Sequence, residues 1–310
     1  MDKKIPIKKL KVGTRGSPLA LAQTKSIINN LLKFYPGLEI EIIKIKTEGD
    51  IKSKQSLYEI GGKGVFVKEI EKALIEHKID FAVHSLKDLP TKLPEDLVLR
   101  CVTARENPCD VLMSSGNMTI ETLPIGARIG TGSLRRIAQL LAYRKDLKII
   151  PLRGNVDTRI KKLKEREVDA IIVALAGIKR LGMNLKDIFI QEIPVEIILP
   201  AVGQGALGVE TRKEELTDFF APINCIKTER EIRAERKLLE RLGGGCRTPI
   251  GCLAQINSNN QLILQACICK PDGSQVLREK IITTAENPED AGIQLAEILL
   301  KKGADKLLRS

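Results

Sequence analysis

KLKVGTRGSPLALAQTKSIINNLLKFYPGLEIEIIKIK, residues 9–46, sets two short β-branched runs on either side of one amphipathic stretch, and that order decides the fold class. Lys9 to Gly13 and Glu39 to Lys46 read as strands. Between them, Ser17 to Phe34 carries Leu19, Leu21, Ala22, Ile27, Ile28, Leu31 and Leu32 at helical spacing, with Ser17 as the cap and Pro18 in the first turn. Strand, helix and strand in that order make a βαβ unit.

The alternation continues outward from this unit. Val65 to His77 reads as a helix, Asp80 to Ser85 as a strand, and Val98 to Ala104 as another strand. The Asp80 strand stops at Lys87-Asp88-Leu89-Pro90, the place where an α/β sheet holds its ligand. From about residue 105 the pattern restarts, with strands at Asp110 to Ser114, Arg128 to Gly130, Lys148 to Leu152 and Asp169 to Ala174. Ser133 to Tyr143 and Val156 to Glu165 are its helices. Ile197 to Val209, with Pro200, Gly203, Gly205 and Gly208, reads as a crossover returning the chain to the first domain. After about residue 222 come a charged helix, Lys227 to Leu242, the run Gly243-Gly244-Gly245-Cys246, strands at Leu262 to Cys269 and Gln275 to Thr284, and a last helix from about 285 to 308. The expected architecture is α/β, with two similar lobes built on largely parallel sheets and enclosing a cleft, plus a small α+β domain. Domain 1 spans 1–104 and 197–221, domain 2 spans 105–196, and domain 3 spans 222–310.

Composition narrows the function. The 310 residues are 43% apolar, enough for two or three cores, yet no apolar run reaches the roughly 18–20 residues of a membrane helix. The basic start, Lys3-Lys4, is not followed by a secretory apolar stretch, so a cytoplasmic protein is expected. Seven scattered cysteines without Cys-x-x-Cys spacing point to free thiols in a reducing compartment. Only His77 and His84 are present, which argues against a metal site or a Ser-His-Asp triad. A net charge of +12 draws anions, but with no Trp, three Tyr and six Phe there is little for bases to stack on. Small polyanions fit better than nucleic acid.

Two segments repeat one arrangement. Gly130-Thr131-Gly132-Ser133-Leu134-Arg135-Arg136 and Arg153-Gly154-Asn155-Val156-Asp157-Thr158-Arg159 each follow a strand and open a helix, so backbone N–H groups and guanidiniums would face an anion together. A single such arginine is ordinarily a surface ion pair; two copies favour a ligand with several carboxylates or phosphates. Gly61-Gly62-Lys63-Gly64-Val65 lacks phosphate-loop spacing. Taken alone, Asp88 is a turn aspartate or a carboxylate for a reacting group. Cys246, after three glycines and before Arg247, is a small buried residue or an exposed thiol beside a cation that favours thiolate.

Several phrases together resemble the porphobilinogen deaminase (hydroxymethylbilane synthase) family over nearly the whole chain. They are Gly13-Thr14-Arg15-Gly16-Ser17-Pro18-Leu19-Ala20, Gly61-Gly62-Lys63-Gly64-Val65-Phe66, His84-Ser85-Leu86-Lys87-Asp88-Leu89-Pro90, and Ser133-Leu134-Arg135-Arg136. Leu152-Arg153-Gly154-Asn155-Val156, Leu199-Pro200-Ala201-Val202-Gly203-Gln204-Gly205-Ala206 and Gly244-Gly245-Cys246 complete them. The resemblance implies two lobes like those of periplasmic binding proteins, with mixed sheets around a cleft, and a third domain carrying a dipyrromethane cofactor in thioether linkage to Cys246. It implies that Asp88 is the catalytic carboxylate. Lys87, Ser85, Thr131, Ser133, Arg135 and Arg136 are implied to bind the cofactor, and Arg15, Ser17, Arg153, Arg159, Arg180, Lys63 and Phe66 the substrate, porphobilinogen.

The implied reaction joins four porphobilinogens head to tail into linear hydroxymethylbilane with loss of ammonia, in a monomer that needs no metal, nucleic acid or membrane. Gly132 and Asp157 depart from the commoner family wording, where serine and asparagine are frequent. Two other classes compete. A non-catalytic two-lobed binding protein for a small polycarboxylate would explain the arginines without Asp88 or Cys246, and a basic nucleic-acid binder would show steep salt dependence.

Overall fold

The computed structural model describes residues 8–51, 64–245 and 248–309. The chain divides into two compact units, one of Met1–Arg105 with Ala206–Glu229 and one of Glu106–Gly205 with Arg230–Ser310.

The first unit contains β1 (Lys9–Arg15), α1 (Pro18–Phe34), β2 (Glu39–Ile45), α2 (Glu48–Ile51), α3 (Lys68–Ile75), β3 (Phe81–Ser85), β4 (Leu97–Val102) and β10 (Leu207–Arg212). Its sheet runs β2-β1-β3-β10-β4. The βαβ unit is there in parallel register, Lys9 opposite Glu39 and Arg15 opposite Ile45. The sheet is mixed, as the family resemblance implied and not largely parallel as the alternation alone suggested, because β10 lies antiparallel between β3 and β4. The glycine-rich crossover thus ends in a buried strand. The helix expected from Val65 to His77 is shorter, Lys68–Ile75, and Val67 at its N-cap makes no side-chain cap.

α1 forms where capping and periodicity agree. Ser17 Oγ accepts from the Ala20 N–H at 3.3 Å and Pro18 sits in the first turn. The face turned inward is Gln23, Thr24, Ile27 and Leu31, not the wholly apolar stripe expected, and Leu32 is exposed. Thr24 is tolerated inside because its hydroxyl donates to Ala20 O at 2.9 Å. Ile27 and Leu31 pack with Leu10, Val12, Phe81 and Val83, each such side chain contributing about 1.5–3 kcal/mol by leaving water. The helix stops at Tyr35, whose ring stacks on Phe219 at 4.5 Å and whose hydroxyl donates to Phe219 O at 2.7 Å.

The second unit contains β5 (Asp110–Ser114), β6 (Arg128–Gly130), α4 (Leu134–Tyr143), β7 (Lys148–Ile150), α5 (Val156–Lys164), β8 (Ala170–Ala174), α6 (Leu175–Leu181) and β9 (Phe189–Glu192). Their sheet runs β7-β6-β8-β5-β9, parallel at β7, β6 and β8 and antiparallel at β5. Most of α7 (Ile226–Arg241), the antiparallel sheet β11 (Ile250–Ile256), β12 (Gln261–Cys269) and β13 (Val276–Thr284), and helices α8 (Pro288–Lys301) and α9 (Ala304–Arg309) follow. The single last helix expected from the sequence is two helices, broken where Gly303 takes φ +90°.

The three-stranded sheet is seated tightly on α4. A Cβ on Gly273 would lie 2.6 Å from Ala142 N, and one on Gly251 would lie 2.7 Å from Leu199 Cβ. Ala138, Leu199, Leu253, Cys267 and Cys269 fill the seam, and Arg278 reaches across it to Gln139 Oε1 at 3.2 Å. Among the described residues, no helix is long and apolar enough to cross a membrane.

Candidate active site

In the first unit the carboxylate expected to act sits on a short anchored turn. β3 is buried through His84, and Leu86–Asp88 follow as one 3-10 turn closed by Leu89 N–H to Leu86 O at 3.3 Å. Leu86 and Leu89 are buried, which leaves Lys87 and Asp88 half-buried on the opposite side. The spacing Leu-x-x-Leu therefore presents the two charged residues. Leu86 N–H donates to Ala206 O at 3.1 Å, and glycine at 208 makes room for Leu86, since a Cβ there would lie 2.4 Å from its Cδ2.

Arg15, at the end of β1, is held by two partners, Asp50 and Phe66. Its Nη2 and Nε lie 2.5 and 3.2 Å from Asp50 Oδ1, and its guanidinium lies 4.2 Å from the centre of the Phe66 ring. Asp50 Oδ2 accepts from Thr47 Oγ1 at 2.8 Å. Burial pushes the Asp50 pKa up, but Arg15 and Thr47 outweigh it and the net direction is down. Phe66 fits because residue 49 is glycine, where a Cβ would lie 2.1 Å from the ring. Ser17 Oγ accepts the capping bond of α1.

The second unit carries the arginines. Arg135 Nη1 lies 2.7 Å from Asp110 Oδ2 and Arg136 Nη2 lies 2.7 Å from Asp110 Oδ1, all three residues buried. Arg135 also donates to Leu199 O at 2.7 Å, Arg136 to Ile172 O at 2.9 Å, and Gln204 Nε2 to Asp110 Oδ1 at 2.9 Å. Burial would raise the Asp110 pKa, yet the two guanidiniums hold it well below the usual carboxylate range. Arg136 keeps one buried donor, Nε, without a hydrogen-bond partner.

Arg159, on α5, donates Nε to Gly154 O at 3.0 Å. Its pKa is pulled down to about 10, first by burial and then by the charges of Arg136 and Arg153. These three arginines raise one another's electrostatic energy, the condition in which carboxylates bind as charge-assisted partners. Thr131 is fully buried and its hydroxyl accepts from Ser133 N–H at 3.3 Å, while Ser133, at the N-cap of α4, makes no side-chain cap. Arg180 donates to Gly205 O at 2.6 Å; burial lowers its pKa and Glu106 opposes that. A Cβ on Gly132 would lie 3.1 Å from Leu152 O, a tight fit for the serine frequent in the family.

Lys63 and Cys246 lie outside the described residues. The residues flanking 246 and 247 are tied together: Thr248 Oγ1 donates to Gly245 O at 2.7 Å and Thr248 N–H to the same oxygen at 3.0 Å. Among the described residues no group of three or more His, Cys, Asp and Glu stands ready to hold a metal ion. Sequence reasoning missed Asp50 and Asp110, the acids that hold Arg15, Arg135 and Arg136. Asp50 had a weak local signal, three residues after Thr47 in the spacing of a side-chain cap. Asp110 had none.

Taken unit by unit, the first carries a carboxylate on an anchored turn and the second a cluster of arginines within reach of one another's charge, each on an α/β frame. Residues 10–218 match the family model described as porphobilinogen deaminase, dipyromethane cofactor binding domain, and residues 229–301 match porphobilinogen deaminase, C-terminal domain. The chain belongs to the porphobilinogen deaminase family. A protein of that name from Lawsonia intracellularis (strain PHE/MN1-00) is 46% identical over 306 residues, 98% of this chain and 98% of that protein. Another from Desulforudis audaxviator (strain MP104C) is 48% identical over 299 residues, 96% of each. Among solved structures, the BenM effector binding domain with its effector benzoate is similar over 70% of this chain and 89% of that one, at 13% identity and a TM-score of 0.43.

Proposed function

We propose that the chain catalyses the porphobilinogen deaminase reaction, a transferase step in tetrapyrrole synthesis that joins four porphobilinogens into linear hydroxymethylbilane with release of ammonia. The observation that carries this reading is the pairing of both family matches with the crowded guanidiniums of Arg136, Arg153 and Arg159. The same observation is the test of fit for the family's dipyrromethane, whose acidic arms suit a surplus of cations and the orphaned Nε of Arg136. Cys246 would hold that group through a thioether, with Lys87, Ser85, Thr131, Ser133, Arg135 and Arg136 receiving its arms. Bound, it supplies the electron-rich pyrrole carbon from which the chain grows.

The remaining chemistry falls to side chains of this protein. Arg15, Ser17, Lys63, Phe66, Arg153, Arg159 and Arg180 hold the carboxylate arms and ring of porphobilinogen. In each round the C–N bond of the aminomethyl group breaks; Asp88 gives the departing ammonia its proton, then faces the positive charge left on the pyrrole. Asp88 recovers a proton once the new C–C bond has formed, and after four rounds one water adds across the bond that joins the new tetrapyrrole to the primer, releasing it as hydroxymethylbilane, so atoms and charge balance over the cycle. The three-domain division at 1–104 with 197–221, 105–196 and 222–310, a cytoplasmic location and a monomeric state belong to this reading.

Two measurements test it. Intact protein is expected to weigh one dipyrromethane more than its sequence, and Cys246→Ser to remove the excess; an active enzyme of unmodified mass overturns the tether. Ammonia release from porphobilinogen separates the enzyme from a two-lobed polycarboxylate binder, which would take up the compound and leave it intact.

A further inference from the structure

Gln139 is a polar residue placed where the three-stranded sheet is seated on α4. It lies one helical turn after Arg135, is 2% exposed, and a Cβ on Gly251 of β11 would come 3.0 Å from its Nε2. A buried amide is costly unless its hydrogen bonds are made. This one makes them on both sides: Nε2 donates to Leu199 O at 3.1 Å and to Arg135 O at 3.3 Å, and Oε1 accepts from Leu199 N–H at 2.9 Å and from Arg278 Nη2 at 3.2 Å. The partners belong to segments far apart in sequence, α4, the chain at Leu199 and β13, so a single arrangement of those segments satisfies the amide.

Neighbouring backbone carries the connection further. Leu199 O accepts from Arg135 Nη1 at 2.7 Å as well as from Gln139, which fills both lone pairs of that carbonyl. Pro200 O accepts from Cys252 N–H, on β11, at 2.9 Å. Glycine is needed beside them at 251, since a Cβ there would also lie 2.8 Å from Leu199 O. Arg278 Nη1 donates to Val195 O at 2.9 Å, so one guanidinium ties β13 both to Gln139 and to the segment before Leu199. β11 itself starts at Ile250, four positions after Cys246 in the sequence.

We infer that Gln139 and Arg278 are positioning residues for the dipyrromethane: they fix the spacing between the guanidinium of Arg135 and the strand that leads from the tethering cysteine. Apolar contact by Leu253, Cys267 and Cys269 holds the sheet on α4 without direction, and the hydrogen bonds of Gln139 and Arg278 set its register. The inference rests on the reading of Cys246 as the tether and of Arg135 as a partner of the cofactor's acidic arms.

The test uses purified full-length protein and single substitutions. Gln139→Met keeps the length of the side chain and removes its hydrogen bonds. Arg278→Met removes the outer partner from a half-buried site, and Leu253→Ala thins the same seam while leaving those bonds in place. Intact mass gives the fraction carrying dipyrromethane, and kcat and KM for porphobilinogen are measured per loaded molecule, well below the lowest melting temperature. Gln139→Met should load incompletely and lose kcat by about a hundredfold, the effect of a misplacement of ~1 Å. Its KM should stay near that of wild type, because the arginines implied for the substrate, Arg15, Arg153, Arg159 and Arg180, are untouched. Arg278→Met should move loading and kcat in the same direction by less, and Arg278→Lys, which keeps a donor for Gln139, should recover most of that loss. Leu253→Ala should melt lower yet load and turn over as wild type does. Wild-type loading and kcat in Gln139→Met or in Arg278→Met, or an equal loss in Leu253→Ala, overturns the positioning role. Should Gln139→Met fail to fold, Arg278→Met and Arg278→Lys decide alone. A wild-type chain that carries no dipyrromethane removes the reading of Cys246 itself, and the positioning role falls with it.

Discussion

Asp88→Ala is expected to retain the fold and lose turnover by about a hundred- to a thousandfold, which corresponds to ~2.7–4 kcal/mol of transition-state stabilisation. The fold should survive because Leu86 and Leu89, not Asp88, anchor the turn in the core. Rate should fall because, in the proposed cycle, this carboxylate faces the cationic pyrrole and handles the proton of the leaving amine. Steady-state ammonia release beside a thermal melt separates the two effects. Wild-type turnover in a well-folded variant would remove Asp88 from the chemistry.

The largest loss of stability is expected at Asp110. Its carboxylate serves Arg135 and Arg136 at 2.7 Å each and accepts from Gln204 at 2.9 Å, all in the interior of the second unit. Asp110→Ala leaves two buried guanidiniums facing each other without their anion, and breaking a buried pair in this way costs about 3–5 kcal/mol. The folded pKa of Asp110 is depressed, so its contribution is complete above the ordinary carboxylate pKa and is lost progressively as pH falls below that value toward the depressed one. A urea unfolding series measures the loss directly. A midpoint near that of wild type would mean that the two arginines find other partners.

The parts of this fold that were legible in sequence are those whose signal is local. Asp110–Ser114 and Arg128–Gly130 have the bounds that their β-branched runs suggested, and the βαβ unit from Lys9 is in place. β10 was hidden because all six of its residues are buried and Gly208 interrupts the run, so neither alternation nor composition marks it. β9, Phe189–Glu192, is a four-residue edge strand and too short to stand out. Asp88 and the arginines were legible as residues with an expected chemistry, through their phrases. What those arginines touch was not. Asp110 lies 25 residues before Arg135, and only folding brings them together. The same holds for His84 and Glu210, separated by 126 positions.

The antiparallel insertion of Leu207–Arg212 between β3 and β4 governs how the protein emerges during translation. A nascent chain that has just released Val102 holds two strands with nothing between them, and the missing partner is about a hundred residues away, on the order of 5–20 s of ribosome time. Until then the lobe bearing Asp88 has two unzipped borders open to the wrong neighbour. The gap closes only when the segment after the intervening lobe supplies Leu207–Arg212.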